Sequence, residues 1–311
     1  MVFLRQMASV CILAIVGIFA SLSSQAADQP KLLVLYPQIN AAYDQIFQEI
    51  IAGIESHPKA TDLVYPVLSS TTVLELTNFI NKNKVDAVIA LGKQTYDIAH
   101  ELQGQLPVIH GGLMINPADH VGISLAGAPE QFFSHLKEIA PSVKRVFTVY
   151  NEENSGWIIK LAQQSAKAHG IELKAYAAND IREAVQKFKK ILEQTKGSRD
   201  GIWLLLDNIL PDKTIMPMAL ETAWQQHVVL FSNNPSHTRR GALFALFPDH
   251  QQMGYSLADL ALDKIVERPR QPLVLPLSSL KVSLNRRTAA HLGLKYSKPA
   301  EEEVDLTSAT K

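Results

Sequence analysis

Thiols are almost missing from this chain. Its one cysteine, Cys11, lies in the first apolar segment, so residues after it can form neither a disulfide framework nor a thiolate metal site. Net charge is missing too, with 30 Lys and Arg set against 30 Asp and Glu. No basic block points to nucleic acid, and the one acidic block is Glu301-Glu302-Glu303 in the tail. The ten histidines are scattered without a His-x-x-x-His or Glu-x-x-His spacing, which argues against a metal site. There is no P-loop and no Gly-x-Gly-x-x-Gly. Gly122-Ile-Ser124-Leu-Ala-Gly127 has one residue too many for a nucleophile elbow. His110-Gly111-Gly112 has the look of an oxyanion loop, but without an elbow it has no substrate to serve. No catalytic residue, metal or cofactor is therefore assigned, and the chain reads as a non-enzyme, with an exported hydrolase as the less favoured alternative.

What is present begins with a leader. Residues 2–22 are apolar apart from Arg5, Gln6, Ser9 and Ser21, and Ser24-Gln25-Ala26 supplies a small-x-small exit. A positive start, an apolar centre and a small-residue exit are the anatomy of a signal peptide cleaved after about Ala26, with an uncleaved anchor as the alternative. The expected destination is outside the cytoplasm. Residues 27–311 are too many for one ordinary domain and suit two of roughly 100–150 residues.

Apolar runs alternate with helical spacing along that body. Leu32–Tyr36, Leu63–Leu68, Val85–Leu91 and Pro107–His110 read as strands buried on both faces, with helices between them. The rhythm restarts with Val121–Leu125, Val146–Tyr150, Leu173–Ala177, Ile202–Leu206 and Val228–Phe231. The fold class expected is α/β, with two doubly wound parallel-sheet lobes. Gln251–Val266 is a long helix, Leu280–Leu284 alternates like a strand, and the acidic tail from 295 to 311 reads as solvated and disordered.

The last third resembles a bacterial family of ABC-transporter substrate-binding proteins that includes tryptophan- and tyrosine-type binders. The residues that carry the likeness are Gly241-Ala242-Leu243, Asp249, Gly254, Pro269, Pro272, Pro276 and Asn285-Arg-Arg-Thr-Ala289-Ala-His-Leu292-Gly293-Leu294. Val121–Ser124, Pro141–Asn151 with Asn154-Ser155, and Leu204–Asp207 are similar as well. The segment Leu106–Met114 departs from the family's loop, so half of the pocket is expected to differ from the family's. The resemblance implies a type I periplasmic binding protein with crossings near Gly122, Phe247 and Pro272. Lobe 1 would be 28–122 plus 248–272, and lobe 2 would be 123–247 plus 273–294. It implies a periplasmic solute-binding protein that closes on an amino acid or similar carboxylate. Its partner would be a membrane ABC permease, or alternatively a sensory receptor, and the protein would be a monomer.

Ligands of open parallel sheets sit beyond the carboxyl ends of the strands, where helix N-termini offer free N–H groups. The residues in that position are the ligand candidates. In lobe 1 they are Tyr36, Gln38, Ser70, Gln94, Thr95 and His110; in lobe 2 they are Tyr150, Asn154, Ser155, Asp207 and Ser232. Thr95 stands in the turn that the resemblance assigns to a ligand carboxylate, with a helix cap as its other reading. Asp207 ends an apolar strand and suits an ammonium group, because a buried charge needs an opposite charge, with a cap on the following helix or a held crossing as its other reading. Ser70 reads as a cap before it reads as a contact, and Tyr36 and Tyr150 fit ring stacking or lobe-edge packing equally.

Overall fold

Apolar runs become strands covered on both faces. In β1 (Lys31–Pro37), Leu32, Leu33, Val34 and Leu35 are all fully buried, and in β3 (Ala87–Leu91) every residue is buried. The computed structural model describes residues 29–38, 41–117, 120–267, 273–295 and 302–304. The signal segment, the Ser24-Gln25-Ala26 exit and Pro272 lie outside the described residues.

The first sheet adds β2 (Thr61–Val67), β4 (Val108–Gly111), β5 (Val121–Gly127) and β11 (Leu273–Leu277), in the order β11-β5-β4-β3-β1-β2. All of its pairings are parallel. Helices α1 (Ala41–Glu55), α2 (Val73–Asn83) and α3 (Lys93–His100) alternate with the strands. The second sheet repeats this plan with β6 (Arg145–Tyr150), β7 (Glu172–Ala177), β8 (Asp200–Leu204), β9 (Val229–Ser232) and β10 (Phe244–Pro248). Strands β12 (Leu280–Asn285) and β13 (Glu302–Val304) extend it to the order β13-β12-β10-β9-β8-β6-β7. Only the β10–β12 pairing among these is antiparallel. Its helices are α4 (Pro129–Ile139), α5 (Glu152–Ala168), α6 (Ile181–Gln194), α7 (Asp212–Gln226) and α8 (Pro235–Arg240). Helix α9 (His250–Glu267) returns to the first sheet, and α10 (Arg286–His291) closes the second.

The strand pairings move two of the expected crossings. Val121–Gly127 stays in the first sheet, so the chain leaves that sheet about five residues beyond Gly122. Leu273–Leu277 also pairs there and not in the second sheet. The acidic tail is corrected in part as well. Glu302–Val304 pairs in parallel with Ser283–Asn285, where solvated chain was expected, because the edge of β12 offers free backbone groups.

Each sheet is packed on both faces. Leu32, Val34, Ile89 and Ile109 meet Met253, Leu257 and Ala258 of α9. Helices α1 and α9 cross with almost no space between them. A Cβ on Gly53 would lie 1.9 Å from the Gln251 carbonyl oxygen, and one on Gly254 would lie 1.9 Å from that of Ile50. In the second lobe Trp203 is fully buried against Phe132 and Phe231, and its indole N–H donates to Asn233 Oδ1 at 2.7 Å. Beneath that sheet Asp200, 1% exposed, accepts two bonds from the Arg145 guanidinium at 2.8 and 2.6 Å. Caps match the sequence chemistry. Thr72 and Glu75 form a full capping box on α2. Asp180 caps α6, although Glu183 reaches back to the N–H of Asn179.

Candidate functional site

The carboxyl ends of the two sheets face a cavity of about 580 Å³. Lys93, Tyr96, Leu113, Met114, Ile115, Asn116 and His120 wall it from the first lobe. Asn154, Ser155, Leu206, Asp207 and Asn208 wall it from the second.

The second-lobe wall is built around Asp207. Its Oδ2 accepts from the Asn151 N–H at 2.8 Å and from the Ser155 hydroxyl at 2.7 Å, and its Oδ1 accepts from the Ile209 N–H at 3.2 Å. The carboxylate thus binds the strand end of β8 to the first turn of α5. Asn151 is the cap of that helix, its Oδ1 accepting from the Asn154 N–H at 3.1 Å. Asn154, Ser155 and Asp207 therefore come together in one wall. Tyr150 does not join them. It is buried, its hydroxyl donates to Glu152 Oε2 at 2.8 Å, and burial with the nearby carboxylate pushes its pKa up to about 12.

The first-lobe wall departs further from expectation. Gly92 opens α3 with φ +78°, and a Cβ there would strike the Phe47 ring at 2.7 Å. Thr95 follows it but turns inward. The side chain is fully buried and its hydroxyl donates to the carbonyls of Leu91 and Gly92, so it stands outside the cavity wall. Gln94 is exposed and also outside the wall, whereas Lys93 and Tyr96 of the same turn are in it. Tyr36 is half-buried against the first-lobe core, Gln38 is exposed with its N–H on the Val67 carbonyl, and Ser70 is exposed in the turn before α2. None of these three lines the cavity.

His110 sits behind the wall. It is fully buried, its ring lies 4.7 Å from that of Tyr96, and the Gln103 amide donates to its Nε2 at 3.4 Å. Its Nδ1 has no hydrogen-bond partner. Desolvation, then the nearby His120 and His100, lowers its pKa to about 4, so the ring is neutral at pH 7. His120 stands between His110 and the cavity, hydrogen-bonded to the Tyr96 hydroxyl. Among the described residues no group of three His, Cys, Asp or Glu side chains is placed to hold a metal ion.

Ser232 lies in an adjoining cavity of about 300 Å³ that shares Leu206, Asp207 and Asn208 with the first. Its hydroxyl is 2.7 Å from His237 Nδ1, and His237 Nε2 is 2.9 Å from Asp212 Oδ2. The serine oxygen also accepts from the Asn234 N–H at 3.0 Å, and the residue is 1% exposed. Its hydrogen bonds fix the turn after β9 and leave little of it to offer a ligand.

Sequence reasoning missed Tyr96, Asn116, His120 and Leu206. Burial of Thr95 and Ala99, four apart on α3, places Lys93 and Tyr96 on another face, and that phase was a usable signal. The loop carrying Asn116 and His120 has no periodicity to read.

The family described as ABC transporter substrate binding protein matches residues 68–304. No curated protein matches the chain. Among solved structures, a ligand-free, open substrate-binding protein with adhesive properties from Clostridium difficile is 16% identical, covering 88% of this chain and 99% of that one at TM-score 0.57. An ABC domain in complex with L-Trp from Streptococcus pneumonia is 16% identical, covering 89% and 100% at TM-score 0.50. A conserved domain protein from Vibrio cholerae is 20% identical with the same two coverages and TM-score 0.50. These likenesses support the periplasmic-binding-protein fold, two mostly parallel α/β sheets with alternating helices. The family match spans most of the chain, and the chain belongs to the ABC transporter substrate-binding protein family.

Proposed function

We propose that the chain is an exported solute-binding protein that closes its two lobes on an amino acid or a similar small carboxylate and delivers it to an ABC importer in the membrane. The observation that carries this reading is the cavity, walled by both lobes at the carboxyl ends of their strands. A ligand that touches both walls favours the closed arrangement over the open one. Lys93 in the first turn of α3 offers a charge for a carboxylate, and Asp207 offers the opposite charge for an ammonium group. Met114 and Leu206, 44% and 48% exposed, give the cavity an apolar surface from each side. The solute therefore carries charged or polar ends on an apolar body. The leader at residues 2–26 supports export, and among the described residues no helix is long and apolar enough to cross a membrane.

Isothermal titration with amino acids and small carboxylic acids tests the reading. Lys93→Ala and Asp207→Asn are each expected to weaken binding of the active solute at least about tenfold, the loss of one charge-assisted bond. Thr95→Ala is expected to leave binding unchanged. Equal affinity in all three variants would reject the cavity as the binding site.

A further inference from the structure

We propose that Asn116 is a latch that couples occupancy of the cavity to closure of the lobes, an inference that rests on the solute-binding reading. The Asn116 side-chain amide bridges from the cavity wall to the second lobe. Its Nδ2 donates to the Glu153 carbonyl at 2.7 Å, and its Oδ1 accepts from the Trp157 indole N–H at 3.0 Å.

Both ends of this bridge are fixed in their own lobes. On the first-lobe side, the Leu125 N–H donates to the Leu113 carbonyl at 2.9 Å and the Ile115 N–H donates to the buried Ser124 hydroxyl at 3.1 Å. Ile115 is itself buried, so Asn116 projects from a loop bound to β5. On the second-lobe side, Glu153 and Trp157 lie on α5, whose first turn is bound to Asp207 through Asn151 and Ser155. Any opening of the cavity on this side must break both Asn116 bonds.

Asn116 also forms part of the cavity wall. A primary amide has two N–H donors and two carbonyl lone pairs, and the bridge uses one of each. The second N–H and the second lone pair are left to a bound solute. The same side chain thus meets the ligand and closes the lobes, which makes it a positioning residue for closure.

Small-angle scattering and acrylamide quenching of Trp157, in a Trp224→Phe background, test this on the full chain without ligand. Loss of two exposed neutral hydrogen bonds is expected to lower the closed-to-open ratio roughly fivefold or more. Asn116→Ala should therefore raise the radius of gyration and the quenching of Trp157, with the melting midpoint kept. Trp157→Phe removes one of the two bonds from the other lobe and should give a smaller rise in the radius of gyration. Asn116→Asp keeps the acceptor for Trp157 but loses the donor to Glu153, and should fall between wild type and Asn116→Ala. Wild-type scattering from both Asn116→Ala and Trp157→Phe would overturn the latch. So would a rise only in variants whose melting midpoint has collapsed. Because no ligand is present, opening on loss of Asn116 in a protein that binds none of the tested solutes would leave the inter-lobe bridge standing while overturning both the solute reading and the coupling to occupancy.

Discussion

Acidification should destabilise the first lobe through His110. The ring is fully buried and has no partner at Nδ1, and its pKa falls from 6.5 to about 4 through desolvation, with His120 and His100 adding repulsion. The folded pKa lies below the unfolded one. Above about pH 6.5 both states hold a neutral ring and the group is silent. As pH falls from 6.5 towards 4 the unfolded chain takes up a proton that the folded chain refuses, so stability is lost across that window. Linkage gives a loss of about 2 kcal/mol at pH 5 and about 3 kcal/mol once pH is below 4. The assay is urea unfolding at pH 7 and pH 5 for wild type and His110→Phe, which keeps a ring of similar size and removes the proton. Wild type should lose about 2 kcal/mol more than the variant between the two pH values. Identical losses in the two proteins would refute the buried neutral ring.

Three further outcomes follow from the packing. Asp200→Ala strands the half-exposed Arg145 guanidinium and the Lys196 N–H that the carboxylate holds at 2.8 Å, and should cost about 2–4 kcal/mol by urea unfolding; a cost below about 0.5 kcal/mol would reject the role of this pair. Gly254→Ala drives a methyl into the Ile50 carbonyl and should lower the thermal midpoint by several degrees, through overpacking of about 1–3 kcal/mol. An unchanged midpoint would show that α1 and α9 do not cross so closely. Asp207→Ala leaves two backbone N–H groups and the Ser155 hydroxyl without their acceptor and should cost about 2–3 kcal/mol, with Asp207→Asn costing less; equal stability of wild type and Asp207→Ala would mean that the carboxylate does not hold α5.

The layered architecture was legible because burial on both faces leaves a plain mark, a run such as Leu32–Leu35 with no polar residue in it. The second-lobe wall was legible for a related reason. Asp207 is a charge at the end of an apolar strand, and Asn151, Asn154 and Ser155 open a helix. The first-lobe wall was harder to read. A threonine after a glycine turn suits a ligand contact and an internal helix bond equally, and only the packing shows that Thr95 bonds Leu91. His110 and Ser232 stand at strand ends, yet the Nε2 of His110 meets Gln103 and the Ser232 hydroxyl meets His237. Asn116 and His120 were unreadable because an irregular loop has no period. The crossings fell short by a few residues because pairing of β5 with β11 is a long-range choice that local pattern does not encode.

Binding of one small solute by both lobes in the shared cavity is tested by thermal unfolding against amino acids, short peptides, purines, sugars and aromatic acids, run beside Lys93→Ala and Asp207→Asn. A solute at about 100 times its dissociation constant adds roughly 2.7 kcal/mol, or about 5–10 °C at the midpoint. Such a rise is expected for a carboxylate-bearing class, reduced in both variants. A flat panel, or a rise that neither variant reduces, would contradict binding in the shared cavity.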